Sequence, residues 1–313
     1  MASDPVAVVD VGSTTVRYGR VSEANLVDVD TEPTRPRDLP AQLVGVVRRL
    51  RERADGGGNL SRVAISTTGL VDHERGVVTE FDTADGDTLH DIPLAEVIEA
   101  ELGLPTTVEN DCTAAALGEA IFGDGRGYGT VVHVTVGTGI GAGVVVDGEP
   151  LRGERGYAAE VGLIPVVADG DLASTGVRGA WEAYCGGRGI PRFAERLLAD
   201  ADDGRESVLR AGDELTAPDV FTAAADGDAV ARDCLDRVAR YNAAGVGAVL
   251  NAFDPGIVTV GGSVARNNPE WFFGGLDRYL GDYALADPPE VRLTGLGADI
   301  ELYGAAAAAG YTL

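Results

Sequence analysis

The sequence predicts an α/β protein that contains two related domains. Apolar segments with the character of strands are followed by segments with helical spacing along most of the 313 residues. A strand, a turn and a second strand are predicted in VGSTTVRYGRV (11–21) and again in VGTGIGAGVVV (136–146). Both segments begin with Val-Gly and a hydroxyl residue, which favours two domains of similar construction.

The order of the predicted elements is the same in both halves of the chain, where strands precede helices. The first half predicts strand–turn–strand over 7–21, a helix over 39–54, a buried strand and loop over 62–72, a helix over 91–105 that ends at Gly103, a strand over 106–110 and an alanine-rich helix. The second half predicts strand–turn–strand over 130–151, a long helix over 231–253, a strand with a diglycine over 256–265, and a strand followed by a helix over 298–313.

The charge of the chain is strongly one-sided. It has 50 acidic and 25 basic residues, all 25 of them Arg, and a net charge of −25. This disfavours nucleic acid or an acidic membrane as a partner, because both are bound by basic patches. Acidic residues dispersed along a chain that has no Lys indicate a protein that functions in molar salt. A GC-rich genome would explain the missing Lys but not the excess of acid.

Removing salt should therefore lower both stability and activity. In ~0.1 M KCl the Debye length is ~10 Å, against ~3 Å at ~1 M, so repulsion among the surface acids is poorly screened at the lower concentration. Thermal unfolding and turnover across this range measure the effect. Sucrose, which stabilises without screening charge, is the control. A melting temperature independent of KCl would contradict the prediction.

Cysteine usage and the absence of targeting signals favour the cytoplasm. Cys112, Cys185 and Cys234 are isolated, with no C-x-C or C-x-x-C pair, as expected in a reducing compartment. The chain shows no signal peptide, and no apolar stretch reaches ~18 residues without glycine or charge. We therefore expect a cytoplasmic protein with no membrane partner.

A turn between the first two predicted strands has the composition of a phosphate-binding site. It contains Asp10, Gly12, Ser13, Thr14 and Thr15. Glycine allows a ligand to approach the backbone closely, and amides and hydroxyls can donate to phosphate oxygens. Asp10 could hold Mg²⁺ through water. An ordinary hairpin with a hydrophilic tip would explain the same residues.

Two later glycine segments also raise alternatives. Four alternate glycines in 137–143 remove side chains from one face, which suits either a phosphate site or close packing against a helix. Gly261 and Gly262 follow a buried strand and leave room for a flat ring or a ribose, or for a helix.

A strand-to-helix junction places two acids and an amide side by side, as Glu109-Asn110-Asp111. Aspartate is a good helix N-cap, so a cap is one explanation. A catalytic carboxylate at the carboxyl end of a strand is the other.

These segments, in this order, resemble the ROK family of sugar kinases (repressors, open reading frames and kinases), within the actin and hexokinase fold. The resemblance covers nearly the whole chain and is carried by DVGSTT (10–15), LPTTVENDCTAAALGEAIFG (104–123), VGTGIGAGVVVDG (136–148), RGYAAEVG (155–162), WEAYCGG (181–187), DGDAVARDCL (226–235) and NAFDPGIVTVGGSV (251–264).

The resemblance implies two actin-like (ribonuclease H-like) α/β domains with a central cleft for the sugar. We expect a small domain over 1–110 plus about 297–313, and a large domain over 111–296. The family also implies a homodimer or a higher homo-oligomer.

The resemblance further implies that ATP and Mg²⁺ are the cofactors. The two glycine turns of the family embrace the ATP phosphates, and its late diglycine lies near the adenosine. The corresponding residues are Asp10, Gly12, Ser13, Thr14, Thr15, Gly137, Thr138, Gly139, Gly261 and Gly262.

The sugar site is implied in the same way. The family's Asn-Asp pair binds sugar hydroxyls, and its Asp is the general base; here these are Asn110 and Asp111. Glu160 matches the Glu of the family's E-x-G-H sequence, Glu182 matches a further sugar-pocket Glu, and Gly69 matches a loop glycine that borders the sugar.

The chain departs from the family at its zinc site. Leu163 stands where the family has a His that ligates zinc and touches the sugar, and no cysteine cluster precedes Glu182. Cys185 alone cannot supply the four ligands of a structural site. We therefore predict no zinc, and the changed Leu163 bears on sugar specificity.

The sequence thus predicts an ATP-dependent hexose 6-phosphotransferase, with glucokinase as the leading interpretation. Fructose, mannose or an N-acetylhexosamine are alternative substrates. A non-catalytic sugar-binding or regulatory protein of the family is another alternative, although Asp10 and Asp111 are both present. A sugar-responsive repressor is disfavoured by the acidity and by a first strand that starts by Val6.

Overall fold

The computed structural model describes residues 5–53, 60–200, 206–211 and 214–312. Its strands are β1 Val6–Val11, β2 Thr15–Ser22, β3 Asn25–Pro33, β4 Arg62–Thr67, β5 Leu70–Asp72, β6 Val77–Asp82, β7 Thr88–Ile92, β8 Thr106–Asn110, β9 Thr130–Val136, β10 Ile140–Val146, β11 Glu149–Pro150, β12 Ala173–Ser174, β13 Val177–Arg178, β14 Ile257–Gly261 and β15 Glu290–Leu293. Its α-helices are α1 Leu39–Arg53, α2 Leu94–Leu102, α3 Asp111–Ile121, α4 Trp181–Cys185, α5 Gly189–Asp200, α6 Ala217–Ala225, α7 Ala229–Phe253, α8 Ser263–Asn267, α9 Pro269–Tyr279 and α10 Ile300–Ala308.

The first sheet has the strand order β3-β2-β1-β4-β8. Strand β1 is antiparallel to β2 and parallel to β4, and β4 is parallel to β8. Valine dominates β1, and in β4 the residues from Val63 to Thr67 are all buried, which suits strands that are covered on both faces. The core on the side of α1 and α2 includes Val9, Val11, Leu43, Val47, Ile65, Ile98 and Val108.

The second sheet repeats this plan, with the order β11-β10-β9-β14-β15. Each sheet begins at one edge with three strands that are consecutive in the chain and continues with two later ones. The last two strands are parallel in both sheets. The repeat that the sequence predicts at 11–21 and 136–146 therefore corresponds to β1–β2 and β9–β10, and the α/β class with two actin-like domains is confirmed.

By its internal contacts the chain forms two compact units. The first contains Met1–His133, Gly143–Ala158 and Thr294–Leu313, and the second contains Val134–Ala142 and Ala159–Leu293. This division keeps α3 with the first unit, whereas the predicted small domain ends at residue 110. The reason is that α3 packs closely on α10. The boundaries at 110 and 297 stay a prediction.

The C-terminal strand predicted within 298–313 is wrong. A short 3-10 helix, Gly297–Asp299, leads directly into α10. The helix predicted over 91–105 ends as expected, at Gly103 with a left-handed φ of 65°, but it begins later, at Leu94, because Asp91 and Ile92 belong to β7. In the described part of the chain, no helix combines the length and the apolar character needed to cross a bilayer.

Candidate active site

The first glycine turn joins β1 to β2 and is closed by backbone hydrogen bonds. The Gly12 N–H donates to the Thr15 carbonyl at 3.0 Å, and the Thr34 N–H donates to the Thr14 carbonyl at 3.0 Å. The Thr34 hydroxyl also donates to the Gly12 carbonyl at 2.8 Å. Thr14 and Thr15 are exposed, and Ser13 is partly so. The turn is thus rigid, and its hydroxyls are accessible to a ligand.

Asp10 lies at the start of this turn in a strongly acidic setting. Its pKa is raised well above the usual value because it is withdrawn from water and because Glu301 and Asp111 carry like charges nearby. Arg17, its register partner on β2, opposes the shift only in part. Acidic side chains surround Asp10, and a carboxylate offers oxygen atoms as metal ligands. Both features suit Mg²⁺.

Asp10→Asn should therefore raise the free energy of unfolding, by on the order of 1 kcal/mol, while abolishing turnover. A raised pKa means that ionisation of Asp10 opposes folding. The gain should be absent below the unfolded-state pKa, near 3.8, where the carboxyl is protonated in both states. It should grow as the pH rises through the folded-state pKa and then level off.

Urea unfolding in EDTA between about pH 4 and pH 8 measures this gain without bound metal. Asp287→Asn, at an exposed position, is the control. A gain that does not change with pH, or a loss at neutral pH, would show that the Asp10 carboxylate is not destabilising.

Asn110 is the N-cap of α3, and it forms hydrogen bonds with two other predicted sugar-site residues, Gly69 and Asp111. Its side-chain oxygen accepts hydrogen bonds from the N–H groups of Cys112 at 3.0 Å and Thr113 at 3.2 Å. Its amide nitrogen donates to the Gly69 carbonyl and to Asp111 Oδ1, both at 3.1 Å. Gly69, Asn110 and Asp111 are therefore adjacent, as predicted.

Asp111 is the first residue of α3, so the capping alternative belongs to Asn110 instead. Asp111 Oδ1 accepts a hydrogen bond from the Cys112 N–H at 2.8 Å. An ionised carboxylate has about four lone-pair sites, so the Asp111 side chain can still accept a proton. Burial raises the pKa of Asp111, and the hydrogen bonds from Cys112 and Asn110 lower it in part. The group is oriented, available and more basic than an ordinary Asp.

The second glycine turn and the diglycine lie side by side in the second unit. A Cβ at Gly137 would stand 3.9 Å from Gly262 Cα, an ordinary contact distance. Gly262 has a φ of 83°, and a Cβ there would lie 2.3 Å from the Val136 carbonyl oxygen. Thr138, which follows Gly137 in the chain, is exposed. The predicted nucleotide residues of this unit thus form one group, at the ends of β9 and β14.

The alternate glycines of 137–143 do not all serve one purpose. A Cβ at Gly143 would lie 2.1 Å from the Cys112 carbonyl oxygen, so this glycine permits close packing of β10 against α3. A Cβ at Gly139 would instead lie 2.5 Å from Glu182 Oε2. Helix packing thus explains Gly143, whereas Gly139 leaves room for the Glu182 carboxylate.

Glu182 is bound to the second glycine turn. Its Oε2 accepts a hydrogen bond from the Ile140 N–H at 3.0 Å, and its Oε1 accepts one from the Ser174 hydroxyl. The structure therefore engages both oxygens of a residue predicted to bind the sugar. Its sugar contact stays a prediction, and a second role in fixing the turn is evident.

Glu160 precedes a 3-10 helix, Val161–Leu163, and its side chain is exposed. Leu163, at the position of the family's His, is half-buried. Within the described ranges no group of three or more His, Cys, Asp or Glu side chains could hold a metal ion. The absence of zinc stays a prediction.

Several residues around the site were missed at the level of sequence. Glu301 acts on Asp10 from α10, and Arg152 forms an ion pair with Glu109 at 2.6 Å. Arg17 could have been found, because a hairpin of 7–21 that turns at Gly12 to Thr14 places it opposite Asp10. The two others lie far from their partners in sequence, and no local pattern indicates them.

Comparison with known proteins supplies a family. The model of the ROK family matches residues 6–309. A glucokinase of Streptomyces coelicolor is 33% identical over 294 residues, which cover 89% of this chain and 91% of the relative.

Solved structures agree with this assignment. A ROK hexokinase from Thermus thermophilus superposes with a TM-score of 0.83 at 30% identity, over 97% of both chains. A ROK family glucokinase from Streptomyces griseus, in complex with glucose and AMPPNP, superposes with a TM-score of 0.74 at 31% identity, over 96% of this chain and 98% of the other. Because the family model matches almost the whole length of this chain, the chain belongs to the ROK family.

Proposed function

We propose that the chain is an ATP-dependent hexose kinase whose acceptor is the 6-hydroxyl of glucose. The observation that carries the proposal is the arrangement of Gly69, Asn110 and Asp111, in which a capped helix begins with a carboxylate that hydrogen bonds hold in place. A relative of 31% identity binds glucose and an ATP analogue, which supports the same pair of ligands here.

Asp111 would act as the general base. Phosphoryl transfer needs positioning, charge neutralisation and a group that accepts the hydroxyl proton. The sugar oxygen loses its proton to the Asp111 carboxylate and attacks the γ-phosphorus, while the bond from that phosphorus to the β-phosphate oxygen of ADP breaks. Asn110, Glu160 and Glu182 would hold neighbouring hydroxyls through their side-chain oxygens or nitrogens.

The glycine turns would bind the nucleotide. Ser13, Thr14 and Thr15 in the first unit, and Thr138 in the second, offer hydroxyls beside backbone amides, which suit phosphate oxygens. Gly261 and Gly262 would border the adenosine. Asp10 would hold Mg²⁺ through water, and the metal when bound neutralises phosphate charge. We further propose a cytoplasmic homodimer.

A panel of sugars tests the substrate. ADP formation in about 1 M KCl, where the surface acids are screened, is followed with glucose, fructose, mannose, galactose and N-acetylglucosamine. We expect the highest kcat/KM with glucose. A higher value with another hexose would keep the kinase and change the substrate. If a folded protein forms no ADP with any sugar but still binds one, the non-catalytic alternative replaces the proposal.

A further inference from the structure

Glu109 is a buried carboxylate whose two oxygens are both engaged. It is 3% exposed at the end of β8, directly before Asn110. Its Oε1 accepts a hydrogen bond from the Asn110 N–H at 3.0 Å. Its Oε2 accepts two from one guanidinium, from Arg152 Nε at 2.9 Å and Arg152 Nη2 at 2.6 Å. A charge this deeply buried depends on its partner.

Arg152 belongs to a short, closed loop in the same compact unit. The Leu151 N–H donates to the Val144 carbonyl at 2.8 Å, which attaches the start of the loop to β10. The Ala158 N–H donates to the Arg152 carbonyl at 3.1 Å, which closes residues 152–158 into a ring. The loop therefore presents the Arg152 side chain, 26% exposed, from a fixed backbone.

The pair thus connects two segments that are far apart in sequence. On one side is the strand end that carries Asn110 and Asp111. On the other is the loop that precedes Glu160 in the chain. Glu109 also restrains the Asn110 backbone directly, through the N–H that it accepts. Because Asn110 in turn donates to Asp111 Oδ1, a displacement of Glu109 reaches the base through two hydrogen bonds.

We propose that Glu109 and Arg152 are positioning residues, which hold Asn110 and Asp111 in the geometry required for proton transfer. The inference rests on the proposed function, because it concerns the placement of the proposed base. A purely structural ion pair is the alternative, and it predicts effects on stability alone.

Three variants separate these roles: Arg152→Met, Glu109→Gln, and the double variant that combines them. Arg152→Met leaves a buried charge without a partner and should lower the melting temperature most. Glu109→Gln should lower it less, since the partly exposed Arg152 can turn to water. The double variant removes both charges and should recover most of the lost stability. Its kcat should nevertheless stay about 10- to 100-fold low, since displaced catalytic groups cost that much.

The KM for ATP should change little, so that the loss falls on kcat. Arg152→Lys keeps the charge but offers a single ammonium nitrogen in place of the two guanidinium nitrogens that both donate to Glu109 Oε2, and it should retain stability with a reduced kcat. Arg48→Met breaks an exposed ion pair with Glu101 of 2.8 Å in the same unit and is the matched control, expected to change neither quantity.

A double variant with wild-type kcat would overturn the positioning role. If that variant does not fold, Arg152→Lys decides: wild-type kcat overturns the role, and a reduced kcat at an unchanged melting temperature supports it. Failure of the proposed function is distinguishable, because the wild-type protein itself would then turn over no sugar.

Discussion

Asp111→Asn should lower kcat by roughly 10²- to 10⁴-fold, which is the usual contribution of a general base. The substitution keeps the size of the side chain, and its Oδ1 can still accept the Cys112 N–H. It replaces one carboxylate oxygen with an NH₂ group, which cannot accept the proton of the sugar hydroxyl. The fold and the affinity for sugar should therefore persist while the proton acceptor is lost. Asp287→Asn, at an exposed position, should keep wild-type turnover.

The pH dependence of turnover carries the same information. Burial raises the pKa of Asp111 above the ordinary 3.8, and a base works only when it is ionised. The acid limb of kcat should thus lie at a higher pH than for a free Asp, and it should disappear in the residual activity of Asp111→Asn. If Asp111→Asn kept the wild-type kcat across the pH range, Asp111 would not be the general base.

Gly304→Ala should lower the free energy of unfolding by about 1 to 3 kcal/mol or more, an overpacking cost. A Cβ at Gly304 would lie 2.0 Å from the Ala114 carbonyl oxygen, and one at Gly118 would lie 3.0 Å from the Gly304 nitrogen. Helices α3 and α10 thus meet backbone to backbone and cannot admit a methyl group without moving apart. Since α3 begins at Asp111, turnover should fall as well.

Gly45→Ala is the matched control for this substitution. Gly45 is also inside a helix, but the nearest heavy atom to its added Cβ would be Arg49 Nη1 at 3.7 Å. Alanine should here stabilise the protein by about 0.5 to 1 kcal/mol, because it restricts the unfolded chain. Urea unfolding in KCl measures both variants. Equal effects of the two substitutions would show that the α3–α10 contact is looser than the structure indicates.

The fold could be predicted largely because its elements carry clear local signals. The valine run of β1, the helical spacing of 39–54 and the stop at Gly103 each specify an element without tertiary information. The exception is instructive. The segment 298–303, ADIELY, alternates apolar and acidic residues, which suits a strand, yet it leads into α10, which packs against α3.

The candidate site could be predicted only in part, since its partnerships are long-range. Asp10, Asn110 and Asp111 stand at strand ends, where the order of strands brings them to one edge of a sheet. The charge of Glu301 on Asp10 and the pairing of Glu109 with Arg152 depend on how helices and loops pack. Glu182 was assigned to the sugar alone, whereas the hydrogen bond that it accepts from the Ile140 N–H connects it to the second glycine turn, and the one from Ser174 connects it to β12.

The most direct test is a product analysis by phosphorus-31 NMR of the wild-type protein with glucose and MgATP, in about 1 M KCl to screen the surface acids. Glucose 6-phosphate and ADP should appear in equal amounts, and Asp111→Asn should form them at a rate lower by roughly 10²-fold or more. If ATP is converted to ADP and inorganic phosphate without a sugar phosphate, or if a folded protein that binds glucose leaves ATP intact, the assignment as a hexose kinase is contradicted.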